Sequence, residues 1–461
     1  MVRSRCLPFT VGCHLLPLSP GPTAFRRLDH GRYRRGILRC ILIAVLGLLA
    51  AAPSAWSGGL SGLRTAARSI LGADQGVYVE AADGTVLLAQ AAAEPVHPAS
   101  VSKVPTTLAL LRKFGPEHRF VTTFAASGRL LAGTLHGDLL VESGGDPSLV
   151  DEDALLVAER LNALGIRRVT GGLRLRGSLI FDWRRDPDGA GLRSALSGQT
   201  PAAAWAAVRA LDTSGPVLDV SAASASTPPG VEFLTAAVRP VAAIAGAADS
   251  AGTAGARVLN RRALVIYQSQ PLLPLLKSLD DYSNNIVKLF ADAAGGAAEV
   301  QALARSVVPA AMRSEITLAD GAGTDPRNRL SPRAAVRLLR ALDQQLHLSG
   351  HSLVDVLPVA GIDDGTLRNR LNAPGEVGRV VGKTGTYGSY GASALVGAIR
   401  TRDRGTVYFA ILDHNVPVPE ARRRQDRFVR RLLMKLHSLP WKYQPDVRPA
   451  VARAEVSTVS R

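Results

Sequence analysis

The stretch His97-Pro98-Ala99-Ser100-Val101-Ser102-Lys103, followed by the apolar run Val104 to Phe114, decides the fold. The chain holds seven lysines (Lys103, Lys113, Lys277, Lys288, Lys383, Lys435, Lys442), leaving 48 of its 55 basic residues as arginine. Where charge alone suffices this chain uses arginine, so a retained lysine points to a group that must be able to lose its proton, which a guanidinium cannot do. Of the seven, only Lys103 has a serine three residues before it. On a helix over about 101–114 that spacing puts Ser100 and Lys103 on one face, one turn apart. A serine hydroxyl is a poor nucleophile until a neighbouring base takes its proton, and a neutral amine can be that base. Ser100 at the helix N-terminus also gains from the local positive potential as an oxyanion develops. Pro105 lacks an N–H and fits only the first turn of a helix or a kink.

Two further clusters carry chemistry. In Ser283-Asn284-Asn285, an extended turn would point residues two apart to the same side, presenting a hydroxyl and an amide together. The hydroxyl of Ser283 can relay a proton and the amide of Asn285 can grip a substrate carbonyl; standing alone, the cluster reads as a helix cap. The third is Lys383-Thr384-Gly385-Thr386. A phosphate-binding loop ending Gly-Lys-Thr needs glycine five residues before Gly382, but position 377 is Val, and Tyr387-Gly388-Ser389-Tyr390 does not open a helix. A strand edge fits better: Lys383 and Thr384 meet a carboxylate, and Gly385 lets a substrate backbone approach.

The three clusters, in this order, resemble the signature of penicillin-binding proteins and serine β-lactamases. Wider context narrows the resemblance. His97-Pro98-Ala99-Ser100, Gly144-Gly145-Asp146-Pro147, Asp320-Gly321-Ala322-Gly323, Leu357-Pro358-Val359-Ala360-Gly361, Gly365-Thr366-Leu367 and the Lys383 stretch resemble the D-alanyl-D-alanine carboxypeptidase/endopeptidase family, the low-molecular-mass class C penicillin-binding proteins, from about Gly76 to Leu436. The resemblance implies an α/β (α+β) fold. A transpeptidase-like domain, an antiparallel sheet with helices, would carry an inserted strand-rich domain between Lys103 and Ser283.

It also implies a cofactor-free serine peptidase acting on peptidoglycan peptides and covalently inhibited by β-lactams. Ser100 would attack the penultimate D-Ala carbonyl with Lys103 as base, and the N–H groups of Ser100 and Thr386 would hold the oxyanion. Ser283 would pass a proton to the leaving D-Ala, Asn285 would hold the stem, and Lys383 with Thr384 would bind the terminal carboxylate, with Gly385 giving access. The enzyme alternatives are a β-lactamase or an esterase on the same scaffold; the other alternative is a non-catalytic peptidoglycan-binding protein. The chain departs from the family in a shorter insertion, and residues 183–210 lack the Trp-rich segment that in some members supplies an acid facing the stem.

Along the chain, Gly76–Gln90 reads as a hairpin turning at Asp83-Gly84. Residues 119–182 read as strand-rich with a helix near Asp153–Leu164. Helical patterns cover Pro271–Leu279 and Asn285–Ala294, and Ser331-Pro332 opens another helix. Two strands joined at Arg402–Gly405 cover Gly391–Asp413. The expected division is a signal peptide over 1–57, a transpeptidase-like domain over 58–118 and 263–440, an insertion over 119–262 and a tail over 441–461. A basic helix, about Glu420–Leu436, spaces Phe428, Leu432 and Leu436 to pack on a sheet, leaving its arginines to solvent or to an anionic membrane surface.

The formal net charge of +17 invites a nucleic-acid reading, but residues 1–57 supply eight arginines against Asp29, which is +7, leaving about +10 elsewhere. That segment has the order of a secretory signal: Arg32-Tyr33-Arg34-Arg35, an apolar run from Cys40 to Ala52, then Pro53-Ser54-Ala55-Trp56-Ser57. Thirteen residues span about 20 Å as a helix, short of the roughly 30 Å bilayer core, so export to the periplasm or cell envelope is favoured over an anchor. Arg34-Arg35 loosely resembles a twin-arginine signal. All three cysteines (Cys6, Cys13, Cys40) lie there, so the remainder has no disulfide and no thiol nucleophile. No histidine pair has metal-ligand spacing, and His97 reads as structural.

Overall fold

A computed structural model describes residues 57–211, 228–234, 238–240, 257–282, 285–389 and 391–459. Residues 1–56 of the expected signal segment, Ser283 and Asn284 lie outside them. Helix α1 (Ser57–Leu71) leads into a hairpin, β1 (Gly76–Ala81) and β2 (Val86–Gln90). Its turn is set by Asp83, whose carboxylate accepts from the Thr85 N–H at 2.8 Å. A turn of 3-10 helix, Ala99–Ser102, then runs directly into α2 (Lys103–Phe114). Pro105 falls in the first turn of α2, where a missing N–H costs nothing.

The chain next builds a second layer from β3 (Val121–Leu131), β4 (Thr134–Gly144), helix α3 (Asp151–Ala163), β5 (Leu173–Ser178) and β6 (Arg257–Gln268). It returns through α4 (Leu272–Tyr282), α5 (Asn285–Ala294) and α6 (Pro332–Leu348) to three long strands, β7 (Val380–Tyr387), β8 (Ala392–Thr401) and β9 (Thr406–His414). Helix α7 (Val418–Lys435) and strand β10 (Glu455–Thr458) follow. Helix α6 starts as its sequence requires: the Ser331 hydroxyl accepts from the Ala334 N–H at 3.2 Å, with Pro332 at the first position.

The main sheet is antiparallel in the order β7-β8-β9-β1-β2, with Ser438–Leu439 added beside β8. Strands β1, β7, β8 and β9 are largely buried on both faces, and the alternation along them sorts two cores. Ala394, Val396, Ala398, Ala410 and Leu412 face α2 and α6, in one core with Leu108, Phe290 and Leu339. Leu395, Ile399, Phe409 and Ile411 face α1 and α7, in another with Leu63, Phe428 and Leu432. The apolar stripe expected on the basic helix is this contact.

The second sheet has eight strands, with β5-β4-β3-β6-β10 along its middle, and its own core around Phe124, Leu139, Val157 and Tyr267. Strand β6 runs past residue 262 to Gln268. Within residues 441–461, expected as a tail, Glu455–Thr458 returns as β10, antiparallel to β6 over Val265–Gln268. Val456 packs on the second core and Glu455 pairs with Arg119 at 3.0 Å, contacts no local pattern announces. No helix among the described residues is long and apolar enough to cross a membrane.

Candidate active site

Ser100 lies on the 3-10 turn rather than on α2 itself, and Lys103 is the first residue of α2. The turn preserves the spacing the sequence suggested, because at three residues per turn positions i and i+3 eclipse. Ser100 is half-buried, whereas Lys103 is 2% exposed and its Nζ donates to the Leu279 carbonyl at 3.1 Å. The turn is held in an unusual conformation: Ala99, a non-glycine residue, has φ +48°.

Three groups hold it there. The Ala99 N–H donates to His97 Nδ1 at 3.1 Å, and His97 Nε2 lies 3.0 Å from the Asp325 carbonyl. With Nδ1 accepting, Nε2 carries the proton and donates, so this imidazole is neutral; burial also lowers its pKa. His97 is thus structural. Gly323, at φ +84°, sits so close that a Cβ there would be 1.9 Å from the Ala99 carbonyl oxygen. The Thr106 hydroxyl donates to the Gly321 carbonyl at 2.8 Å, tying α2 to the same loop. Asp320 shapes that loop by accepting from the Gly323 N–H at 2.8 Å and from Asn328 at 2.9 Å.

Strand β7 is the outermost strand of the main sheet; its first residues bridge to Val359, and the rest runs past this turn. Its alternation gives each residue of Lys383-Thr384-Gly385-Thr386 a separate place. Val381 belongs to the α2 side and Val380 to the α7 side. Lys383, Gly385 and Tyr387 therefore face the Ser100 turn, and Thr384 and Thr386 face α7. A Cβ on Gly385 would meet the Pro98 carbonyl at 2.5 Å, and Tyr387 stacks on His97 with centroids 4.0 Å apart. Glycine is required there. The Gly382 N–H points outward to the Pro358 carbonyl at 3.0 Å, and the same two-residue period turns the N–H of Thr386 to the open edge.

Lys383 is 3% exposed, with its ammonium donating to the Thr384 carbonyl at 3.2 Å. Beneath both lysines lies a carboxylate that no sequence pattern singles out. Asp280 on α4 is 2% exposed and accepts from the Thr107 hydroxyl at 3.3 Å. Burial pushes its pKa up, opposed by the charges of Lys383 and Lys103. Two other residues escaped a sequence-based role. The Thr366 hydroxyl lies 2.5 Å from that of Thr384, and Arg422 on α7 donates to the Thr386 hydroxyl at 2.8 Å.

The Ser100 turn thus lies beside the Lys383–Thr386 stretch of β7, with Lys383 and Gly385 on the face toward Ser100 and Thr384 and Thr386 on the face toward α7. Ser283 lies outside the described residues, and Asn285 is the first residue of α5. No cluster of three or more metal-ligating side chains occurs among the described residues.

The chain is similar in sequence and in fold to known proteins. The chain is 26% identical over 370 residues to carboxypeptidase DacB of Mycolicibacterium smegmatis, covering 75% of this chain and 77% of that one. It is 31% identical over 256 residues to a D-alanyl-D-alanine carboxypeptidase of Actinomadura sp., covering 51% of this chain and 46% of that one. Its fold is similar to penicillin G-acylated Bd3459, a predatory endopeptidase from Bdellovibrio bacteriovorus solved with immunity protein Bd3460. That match has a TM-score of 0.67 at 20% identity, over 83% of this chain and 99% of that one. The model of the D-Ala-D-Ala carboxypeptidase 3 (S13) family matches residues 63–206 and 246–434, and the chain belongs to that family of serine peptidases.

Proposed function

We propose that Ser100 is the nucleophile of a D-Ala-D-Ala carboxypeptidase and DD-endopeptidase that works through an acyl-enzyme on peptidoglycan stem peptides. The observation that carries this is the junction of two elements: the Ser100 turn, strained at Ala99, lies against Gly385 of the open strand edge with Lys103 buried one turn away. Ser100 Oγ attacks the carbonyl of the penultimate D-Ala while its proton passes to the neutral amine of Lys103. The N–H groups of Ser100 and Thr386 receive the oxyanion. Collapse breaks the C–N bond, and Ser283 relays a proton to the leaving amine, with Asn285 holding the stem. Water then attacks the Ser100 ester, which frees the shortened peptide and returns the serine proton. Loss of a terminal D-Ala and opening of a D-Ala cross-bridge are the same chemistry.

A β-lactam presents a strained amide with a nearby carboxylate and enters the same path. Intact mass after benzylpenicillin is expected to rise by one penicilloyl group, with the adduct on the peptide holding Ser100 and absent from Ser100→Ala. An adduct that persists in Ser100→Ala sinks the assignment, and rapid release of the penicilloyl group from the unaltered protein makes the chain a β-lactamase instead.

The second sheet with α3 is proposed to be a unit inserted into the transpeptidase-like domain, since the chain leaves after α2 and returns at α4. The basic segment before residue 57 supports export to the cell envelope. The exposed Arg427, Arg431 and Met434 of α7, which line one groove with Thr65 and Ser69 of α1, support contact with an anionic surface there.

A further inference from the structure

The arginines of α7 were expected to face solvent, and most meet carboxylates there. Arg423 and Arg424 bond Glu420 at 2.6 and 2.8 Å, and Arg430 bonds Glu376 at 2.8 Å. Arg422 does otherwise. It is half-buried and forms no ion pair among the described residues; its guanidinium donates to the Thr386 hydroxyl at 2.8 Å. The neighbouring Asp426 is already engaged by Arg370 at 2.6 Å. Arg422 is therefore a cation held at a neutral partner, with four further donors able to meet an anion in a planar fork.

Its place is fixed from both directions. The Val418 N–H donates to the Ser389 carbonyl at 3.0 Å, which pins the start of α7 to the loop that leaves β7. Thr386 stands between Gly385, packed on Ala99, and Tyr387, stacked on His97. On the same strand face Thr384 pairs with Thr366, so hydroxyls and a guanidinium form one row along the edge. Lys383 does not belong to that row: it faces the opposite side of the strand and is 3% exposed. The charge that can meet a ligand from the α7 side of the edge is that of Arg422.

We propose that Arg422 is a specificity-determining residue, the cation that recognises the C-terminal carboxylate of the substrate together with the hydroxyls of Thr384 and Thr386. Planar carboxylate and planar guanidinium form paired charge-assisted hydrogen bonds, a match that a lysine ammonium lacks. The inference rests on the reading of the Ser100 edge as the acylation site. Lys383, from the other face, is left to act on the buried side beside Asp280 and Lys103.

The test is a pair of stem-peptide analogues ending in D-Ala-D-Ala, one with a free terminal carboxylate and one with a terminal amide. The ratio of their kcat/KM values is expected to fall at least about tenfold in Arg422→Gln, chiefly through KM for the acid, and to be partly restored in Arg422→Lys. A ratio unchanged from the unaltered enzyme overturns the inference and leaves Arg422 as a tether between α7 and β7. Should Arg422→Gln fail to fold, Arg422→Lys and Thr386→Val are read by the same ratio, with a smaller fall expected and an unchanged ratio again overturning it. The penicilloyl adduct on Ser100 is measured on the same preparations, so a failure of the acylation site itself is seen separately.

Discussion

At the scale of single residues, the scarcity of lysine was the most informative signal in the chain. It drew attention to Lys103 and Lys383, and both are buried, at 2% and 3% exposure. A third, Lys277, is half-buried in an ion pair with Asp363 at 2.6 Å and donates to two backbone carbonyls. Burial changes what a conservative variant tests, because arginine at position 103 adds volume as well as permanent charge. Lys103→Arg and Lys103→Gln are therefore paired: neither can act as a base, and they differ in size and charge. Both, measured on protein with a normal melting profile, are expected to be acylated by benzylpenicillin at least about a hundredfold more slowly, the low end for general-base catalysis. Near-normal acylation in either removes Lys103 from the mechanism. Asp280 and Arg422 show the limit of reading residues singly, since an acid near a helix end and an arginine among arginines carry no mark of their own.

Among the elements, helix α3 is the most exposed to pH. Asp153 accepts from the Val150 N–H at 3.1 Å at its first turn and is 3% exposed. Burial, reinforced by the charge of Asp146, pushes its pKa up to about 8, and burial raises Asp146 to about 6. A carboxyl whose folded pKa lies above its unfolded value stabilises the fold while protonated. That contribution is complete below the unfolded value, near 4, and is lost as pH rises through the folded one. Stability carried by α3 should therefore decline between about pH 4 and 8. Asp153→Asn keeps an acceptor for Val150 and cannot ionise. Its Tm relative to the unaltered protein is expected to climb with pH, by about 2–4 °C for each kcal/mol recovered. A Tm difference that stays flat from pH 5 to 8 refutes the account. The helix was visible in the sequence to within two residues, but its buried acid was not, because amphipathic periodicity does not say which polar residue is covered by another layer.

For the whole molecule, the consequence of the basic N-terminus and the basic α1–α7 face is a location. The protein recovered from the cell envelope is expected to begin near residue 56 or 58, to lack Cys40, and to be released from membranes by raised salt, which screens surface charge. Sequencing of its N-terminus decides the first point: a protein that retains Cys40 is anchored, not cleaved. Partition that does not change between low and high salt removes the electrostatic contact. The second layer belongs to this scale too. Its strands β3 to β5 fall in the stretch read as strand-rich, yet β6 and its union with β10, close to 200 residues further on, were not legible.

The sequence by itself determined the reaction type, and it marks the groups proposed to carry it. Ser100 and Lys103 are three residues apart, and Lys383 to Thr386 are adjacent, so helix and strand periods alone set their relative directions. It also determined the hairpin, the start of α6 and the apolar stripe of α7, all of which follow from patterns within one or two turns. Only the tertiary structure decided that Lys383 is buried while Arg422 reaches Thr386 from 36 residues away, and that Lys103 meets Leu279 from 176 residues away. Contacts of that range depend on how whole layers stack, and local periodicity, which reports only the face a residue occupies, holds no record of what comes to cover that face.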